Sequence, residues 1–421
     1  MITKKEIAPG VTLRCCRDSR FKQGCLSFQL IRPMKKEEAA KNALLSAVLL
    51  RGTNRHPDLR SITEALDTLY GASVSTLVRR VGDYQTVGFY CGFMDDRFAL
   101  PGDQVLSPMI RFLEELLLDS PVENGGFRRS FVEGEKKNLA ATIDAELNDK
   151  RAYAMGQILK TMCAGDTFGI PRLGEKADVL TIDAVDLYNH YQKILRESPI
   201  QIFYVGSADA HQVEALLSPI WQQLDRDPLV LPPQTGFTSA TGRDVEETLD
   251  VSQGKLCIGY TTSITNRDKD FPAMQVMNTI FGAGMTSKLF MNVREKLSLC
   301  YSVGSSYYGT KGILIVNAGI DFDKEELTRR EVETQLEACR RGDITPGELL
   351  AAKESLLSSL RATHDSPAAI EGYYATAALS GMKLTPAEYM AAVEAVTVED
   401  VCAAARQVTS HSSYFLKGGS Q

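Results

Sequence analysis

Few residues in this chain are spaced for metal chemistry. Its five histidines are His56, His190, His211, His364 and His411, and no two lie within five residues of each other. A helical zinc grip needs two His at i and i+4 on one face, so no local His–His pair can form. His211-Gln-Val-Glu214 begins such a motif, but Ala215 stands where the second His belongs. His211 therefore reads as an ordinary surface helix residue. The nine cysteines contain no Cys-x-x-Cys, which points to buried free thiols in a reducing cytoplasm rather than a disulfide scaffold. The densest stretch is Phe281-Gly-Ala-Gly-Met-Thr-Ser-Lys-Leu-Phe290, continued by Val293-Arg-Glu-Lys-Leu-Ser-Leu-Cys-Tyr-Ser-Val303. Gly282-x-Gly284 could cradle a phosphate only after a strand in a parallel βαβ unit. An amphipathic helix precedes it here, so a helix-loop-helix corner fits better. Taken alone, Arg294 reads as an arginine paired with a nearby helix acid, and Tyr301 as a residue packed at a strand start.

The elements around these residues follow from periodicity. Val11–Cys15 and Cys25–Ile31 alternate as strands. Ala40, Ala43, Leu44, Ala47 and Val48 keep one buried helical face from about Glu37, ended by Gly52, with Lys35-Lys-Glu-Glu38 as a solvated start. A helix is expected over Ile62–Tyr70, then an antiparallel pair, Ala72–Val81 and Tyr84–Phe93, across Gly82-Asp83. Val105, Met109, Phe112, Leu113 and Leu116 mark another helix, a long polar helix covers about Gly126–Met162, and Tyr188–Leu195 precedes a strand at Ile200–Val205. The Trp221 helix closes the first half. Asp225–Asp244, rich in Pro, Gly, Ser and Thr, reads as a linker.

The second half repeats the order. A strand at Leu256–Thr261 precedes helices at Phe271–Phe281 and Ser287–Leu297 and an antiparallel pair at Tyr301–Tyr308 and Gly312–Ile320. Two capping boxes, Thr345-Pro-Gly-Glu348 and Thr385-Pro-Ala-Glu388, start later helices. Leu180-Thr-Ile-Asp-Ala-Val185 also matches Val396-Thr-Val-Glu-Asp-Val401 at a separation of 216. The expected architecture is α+β: two related domains, 1–224 and 245–421, joined by a linker over 225–244, each an antiparallel-rich sheet packed with helices.

With 421 residues, 47 Lys+Arg against 53 Asp+Glu and a net charge of −6, the chain is a poor match for nucleic acid. No stretch reaches the roughly 18 consecutive apolar residues of a membrane span. The first ten residues lack the apolar core of a signal peptide, so a cytoplasmic location is expected.

The pattern GxGxxSxLFxxVREKxxLxYSV across residues 282–303, the length, the duplicated halves and the linker position resemble the insulinase-like (pitrilysin, M16) zinc peptidases. The short bacterial type, similar to the mitochondrial processing peptidase subunits, is the nearest in pattern. The resemblance implies a LuxS/MPP-like metallohydrolase fold and a His-x-x-Glu-His motif on the first helix of the first half. Matching on Gly52-Thr53 places Ala43 and Ala47 at the two histidines and Ser46 at the catalytic glutamate. The third ligand position falls on Thr142, with Glu135 keeping an upstream acid and Glu146 nearby. Alanine offers no donor, and serine is a poor ligand and base.

The resemblance also implies roles for what remains. Arg294 would hold a peptide carbonyl or carboxylate, and Tyr301 would donate to a scissile carbonyl as it becomes an oxyanion. Gly71, Ala72, Ser73 and Val74 would line an edge on which a peptide adds as a strand. The implied assembly is a heterodimer with a zinc-bearing M16-type partner, or a homodimer in isolation, acting on peptides, with no cofactor in this chain. A non-proteolytic peptide-binding or scaffold protein is the alternative, and a stand-alone peptidase with substitute ligands is the third.

Overall fold

A computed structural model describes residues 2–146, 148–238 and 241–419. The first half runs β1 (Ile2–Ala8), β2 (Val11–Arg17), β3 (Gln23–Pro33), α1 (Lys36–Leu49), α2 (Leu59–Thr68), β4 (Ser73–Val81), β5 (Tyr84–Met94), α3 (Leu106–Leu118), a short pair β6 (Val122–Glu123) and β7 (Gly126–Phe127), α4 (Arg129–Ala145), α5 (Lys150–Met162), α6 (Lys176–Thr181), α7 (Ala184–Glu197), β8 (Ile200–Gly206) and α8 (Ala210–Trp221). The second half runs β9 (Asp244–Leu249), β10 (Gly254–Thr261), α9 (Phe271–Asn278), β11 (Cys300–Tyr308), β12 (Ile313–Ile320), α10 (Glu325–Arg341), α11 (Pro346–Ala362), α12 (Pro367–Ser380), α13 (Pro386–Ala395), α14 (Val398–Arg406) and β13 (Thr409–Gly418).

The chain forms two compact units, 1–144 with 170–233 and 364–376, and 145–169 with 234–363 and 377–421. Each therefore contains a segment from beyond the linker. The first unit holds a six-stranded sheet in the order β1-β2-β8-β3-β5-β4, and the second a five-stranded sheet in the order β11-β12-β10-β13-β9. The orders are the same once β1 is set aside. Each sheet has one parallel pair, β2 with β8 and β9 with β13, in the corresponding place. The halves are thus two versions of one α+β fold.

In the first unit, Leu26, Phe28, Leu30, Val87 and Phe89 face a core shared with α1, α3 and α8. There Trp221 is fully buried and meets Phe28 edge-on, with ring centroids 5.8 Å apart. The opposite face of the sheet is mixed, and residues 364–376 cover it: Cys25 and Val205 pack with Ile370, and polar groups lie beside them. Glu371, 1% exposed, accepts from Ser27 Oγ at 2.8 Å and Gln29 Nε2 at 2.6 Å. It also takes both guanidinium arms of Arg79 at 3.1 and 3.0 Å. β3 is buried on both sides for this reason, although Ser27 and Gln29 break its apolar pattern.

In the second unit the equivalent face is apolar. Ala154, Ile158 and Met162 of α5 lie against Cys257, Ile315, Tyr414 and Leu416. A Cβ on Gly259 would sit 2.1 Å from Met162 Sδ, so any larger residue there would force Met162 into another rotamer. One buried pair lies beside it: Lys311 Nζ meets Asp166 at 2.9 Å, with the two side chains 0% and 2% exposed.

Three expectations need correction. The helix expected over Gly126–Met162 is two helices, and Asp149 caps the second by accepting from the N–H groups of Arg151 and Ala152. Glu38 is not solvated: it is buried, with Arg32 at 3.0 Å and Lys193 at 3.1 Å. The helices expected at Phe271–Phe281 and Ser287–Leu297 contain π-helical turns at 279–283 and 289–296.

Candidate functional site

The metal positions lie on α1, an alanine-rich helix buried around most of its circumference. Ala43 is 5% and Ser46 1% exposed, while Ala47 is half-buried. The Ser46 hydroxyl is buried without a hydrogen-bond partner. On α4, Thr142 is exposed and donates to the Asn138 carbonyl at 2.9 Å, within its own helix. Glu135 keeps the upstream acid, but it accepts from Arg51 Nη1 at 3.3 Å and from Asn138 at 3.1 Å. Two alanines, an orphaned hydroxyl and an ion-paired carboxylate do not fit zinc, which takes nitrogen, sulfur or carboxylate donors in tetrahedral array. Among the described residues, no group of three or more His, Cys, Asp or Glu is placed to hold a metal ion. His211, on α8, is fully exposed, in accord with a plain surface role.

The second constellation lies in the second unit. Residues 289–296 form a π-helix, a form that recurs at functional sites, and Arg294 lies in its last turn. Ser298 then takes a left-handed conformation, φ 49°. β11 pairs with β12 through a register shift in which Cys300 faces Ile320 and Ser302 faces Gly319. Tyr301 is thus the extra residue of a β-bulge, a device that re-aims a side chain, and it is 62% exposed. Arg294 and Tyr301 come together: Arg294 Nε donates to the Tyr301 carbonyl at 3.0 Å. The guanidinium also meets Glu295 at 2.9 Å and stacks over Phe290 at 4.6 Å.

Two residues the sequence reading missed complete this cleft of about 350 Å³, Asp321 and Lys324. The Tyr301 hydroxyl donates to Asp321 Oδ1 at 3.1 Å, and Lys324 Nζ lies 2.8 Å from Asp321 Oδ2. The Lys324 and Tyr301 hydrogen bonds hold the Asp321 carboxyl below its usual range. Burial pushes the neighbouring Cys300 thiol up to about 11, so it is no nucleophile at neutral pH. A signal for Asp321 was available: pairing Tyr308 with Ile313 and counting back sets residue 301 opposite residue 320, one residue from 321.

The expected peptide edge is β4, the terminal strand of its sheet. Ser73 and Val74 lie on it. Gly71 and Ala72 precede it: Gly71 turns the chain at φ 68°, and Ala72 N–H is already given to the Leu66 carbonyl at 3.1 Å. Among the described residues no helix is long and apolar enough to cross a membrane.

A family profile described as "Peptidase M16 inactive domain" matches residues 181–356. A protein of Bacillus subtilis named "Probable inactive metalloprotease YmfF" is 31% identical over 409 residues, 97% of this chain and 96% of that one. The crystal structure of a conserved protein from Enterococcus faecalis superposes with a TM-score of 0.90 at 28% identity, covering 100% and 99% of the two chains. The crystal structure of a peptidase M16 inactive domain from Pseudomonas fluorescens gives 0.81 at 18% identity, covering 100% and 98%. With these likenesses and a first helix stripped of its ligands, the chain belongs to the peptidase M16 family as an inactive homologue.

Proposed function

We propose that this chain is the zinc-less subunit of a two-chain M16-type peptidase of the cytoplasm. A partner chain brings the metal and its base. This chain brings Arg294, Tyr301 and a strand edge that holds an extended peptide. The observation that supports this most is the contrast within one molecule. Its metal positions carry no ligand, while Arg294 and Tyr301 are joined at 3.0 Å beside an open cleft. Arg294 carries a fixed fork of donors suited to a peptide carbonyl. The Tyr301 hydroxyl would turn its hydrogen bond from Asp321 to a carbonyl oxygen as that oxygen becomes an oxyanion.

The test is reconstitution. Mixed with a zinc-bearing M16-type chain, this protein is expected to form a stable complex that cleaves unfolded peptides. Arg294→Ala with Tyr301→Phe should slow cleavage by about 10²–10³-fold, the scale of lost oxyanion donors. Absence of both complex and cleavage counts against the proposal. The second reading, a peptide-binding protein without proteolysis, draws on the Tyr301–Asp321 hydrogen bond, which ties up the hydroxyl. Cleavage insensitive to the double substitution would favour it.

A further inference from the structure

β4 and β5 are joined through the two residues Gly82-Asp83, with Val81 opposite Tyr84. In an antiparallel hairpin closed this way, alternate residues bond inward and outward. Val81, Arg79, Leu77, Ser75 and Ser73 turn their backbone groups to β5, and Val74, Thr76 and Val78 turn theirs to the free side. The side chains of Val74 and Val78 meanwhile pack into the helical core, so the strand is held firmly while its edge stays open.

That edge is bounded at both ends. At one end Ala72 N–H is given to the Leu66 carbonyl. At the other, Arg172 Nη1 donates to the Val78 carbonyl at 2.9 Å, and Arg80 Nη1 donates to the Ile170 carbonyl at 3.0 Å. The segment carrying Arg172 is anchored from inside. Gln85, fully buried, donates from Nε2 to the Arg172 carbonyl at 2.7 Å and to the Ala39 carbonyl at 3.1 Å. Its Oε1 accepts from Asn42 at 2.8 Å, and Asn42 Oδ1 meets His190 Nε2 at 2.7 Å. Gly174 takes φ 75° and lies against Ala40, where a Cβ would approach to 2.7 Å. Four polar side chains and one glycine thus fix a strap that occupies the far end of the β4 edge.

We infer that Arg172 is a stop that sets the length and register of a peptide added to β4. The inference rests on the peptide-holding reading above. Between the two blocked positions only Val74 and Thr76 keep both backbone groups open. At about 3.3 Å per residue, the lane takes about five residues of extended chain. A longer segment must end or turn away at Val78, because the Arg172 guanidinium sits against the Val78 carbonyl, where the next residue of an added strand would lie. The class of ligand selected is a short extended segment, a chain end or a loop, rather than the middle of a long strand.

The test uses the full chain and two probes, an unstructured Ser/Thr/Val peptide of about ten residues and its core of about five. Hydrogen exchange is read residue by residue on β4. In the unaltered protein both probes are expected to slow exchange at Val74 and Thr76 and to leave Val78 unchanged, with similar affinity. In Arg172→Ala the longer probe should extend protection to Val78 and bind roughly three- to tenfold tighter, the worth of one added hydrogen bond. Gln85→Ala, which releases the strap from within, should act in the same direction. Arg172 is exposed, so its loss leaves the fold intact. Protection of Val78 already in the unaltered protein, or no change in Arg172→Ala, overturns the stop while leaving peptide holding in place. No protection anywhere on β4 with either probe overturns peptide holding, and the stop with it.

Discussion

α1 in the first unit and the π-helix with its bulged strand in the second are the two places where M16-type chemistry would reside, and they have gone opposite ways. On α1 the ligands are gone: Ala43 and Ser46 are 5% and 1% exposed and Ala47 is half-buried, none with a metal donor to offer. In the second unit Tyr301 is 62% exposed, thrown out by a bulge beside an arginine that still carries uncommitted donors. The first unit offers no metal donor on α1, and the second holds Arg294 and Tyr301 at the surface.

The comparison breaks first if the first unit is not the rigid, closed body described. Glu371→Ala tests this with the largest expected effect. It leaves the buried Ser27 and Gln29 without their acceptor, at about 1–3 kcal/mol each, while the part-exposed Arg79 turns to water. The chain's single tryptophan, Trp221, lies in the first unit's core. Its fluorescence during urea unfolding therefore reads this unit alone. An unchanged midpoint would contradict the clasp. Next comes rebuilding the motif as Ala43→His, Ser46→Glu and Ala47→His. The added volume costs about 1–3 kcal/mol by overpacking, and no zinc is gained because Thr142 supplies no third ligand. Elemental analysis showing one zinc per rebuilt chain, with unaltered stability, would erase the contrast between the units.

Acid sharpens the comparison further. Burial drives the His190 imidazole down to about 4, with Glu38 opposing and Lys41, Arg32 and Lys193 adding to the effect. In the unfolded chain a histidine titrates near 6.5. The folded value is the lower one, so the unfolded state binds more protons between these limits. The stability tied to neutral His190 is full above about pH 6.5 and is lost as pH falls towards 4, to a total of about 3 kcal/mol. His190→Asn should flatten that slope in Trp221-detected unfolding. A slope identical to that of the parent protein would show that His190 is not what links acid to the Asn42–Gln85 network.

Much of this was legible in advance, for local reasons. Gly82-Asp83 between alternating runs gave the β4–β5 hairpin its place, and Thr345 and Thr385 with their glutamates form the two capping boxes expected of them. Two more boxes, Asp58 with Ser61 and Thr397 with Asp400, follow the same logic and escaped notice. Features set by distant partners left no trace. Helical periodicity over 126–162 hid the break that Asp149 caps. Glu38 looked solvated because Arg32 lies on a strand and Lys193 on another helix. Glu371 meets Ser27 across 344 residues, beyond any pattern of spacing. The missing metal ligands were readable from residue types, but their burial was not, nor was the bulge that exposes Tyr301.

The smallest effect on stability, and the most telling for function, is expected at Asp321. Its carboxylate is partly exposed and holds Lys324 and the Tyr301 hydroxyl, so Asp321→Ala should leave the unfolding midpoint nearly unchanged, as surface substitutions do. If Tyr301 is a donor held in reserve, removing its acceptor frees the hydroxyl, and partner-dependent cleavage should hold steady or rise. Tyr301→Phe should be equally neutral for stability and should slow cleavage. A matched loss of cleavage in both variants would mean that the Tyr301–Asp321 hydrogen bond shapes the cleft as a unit. The second unit would then resemble the first, with its old chemistry absorbed into structure.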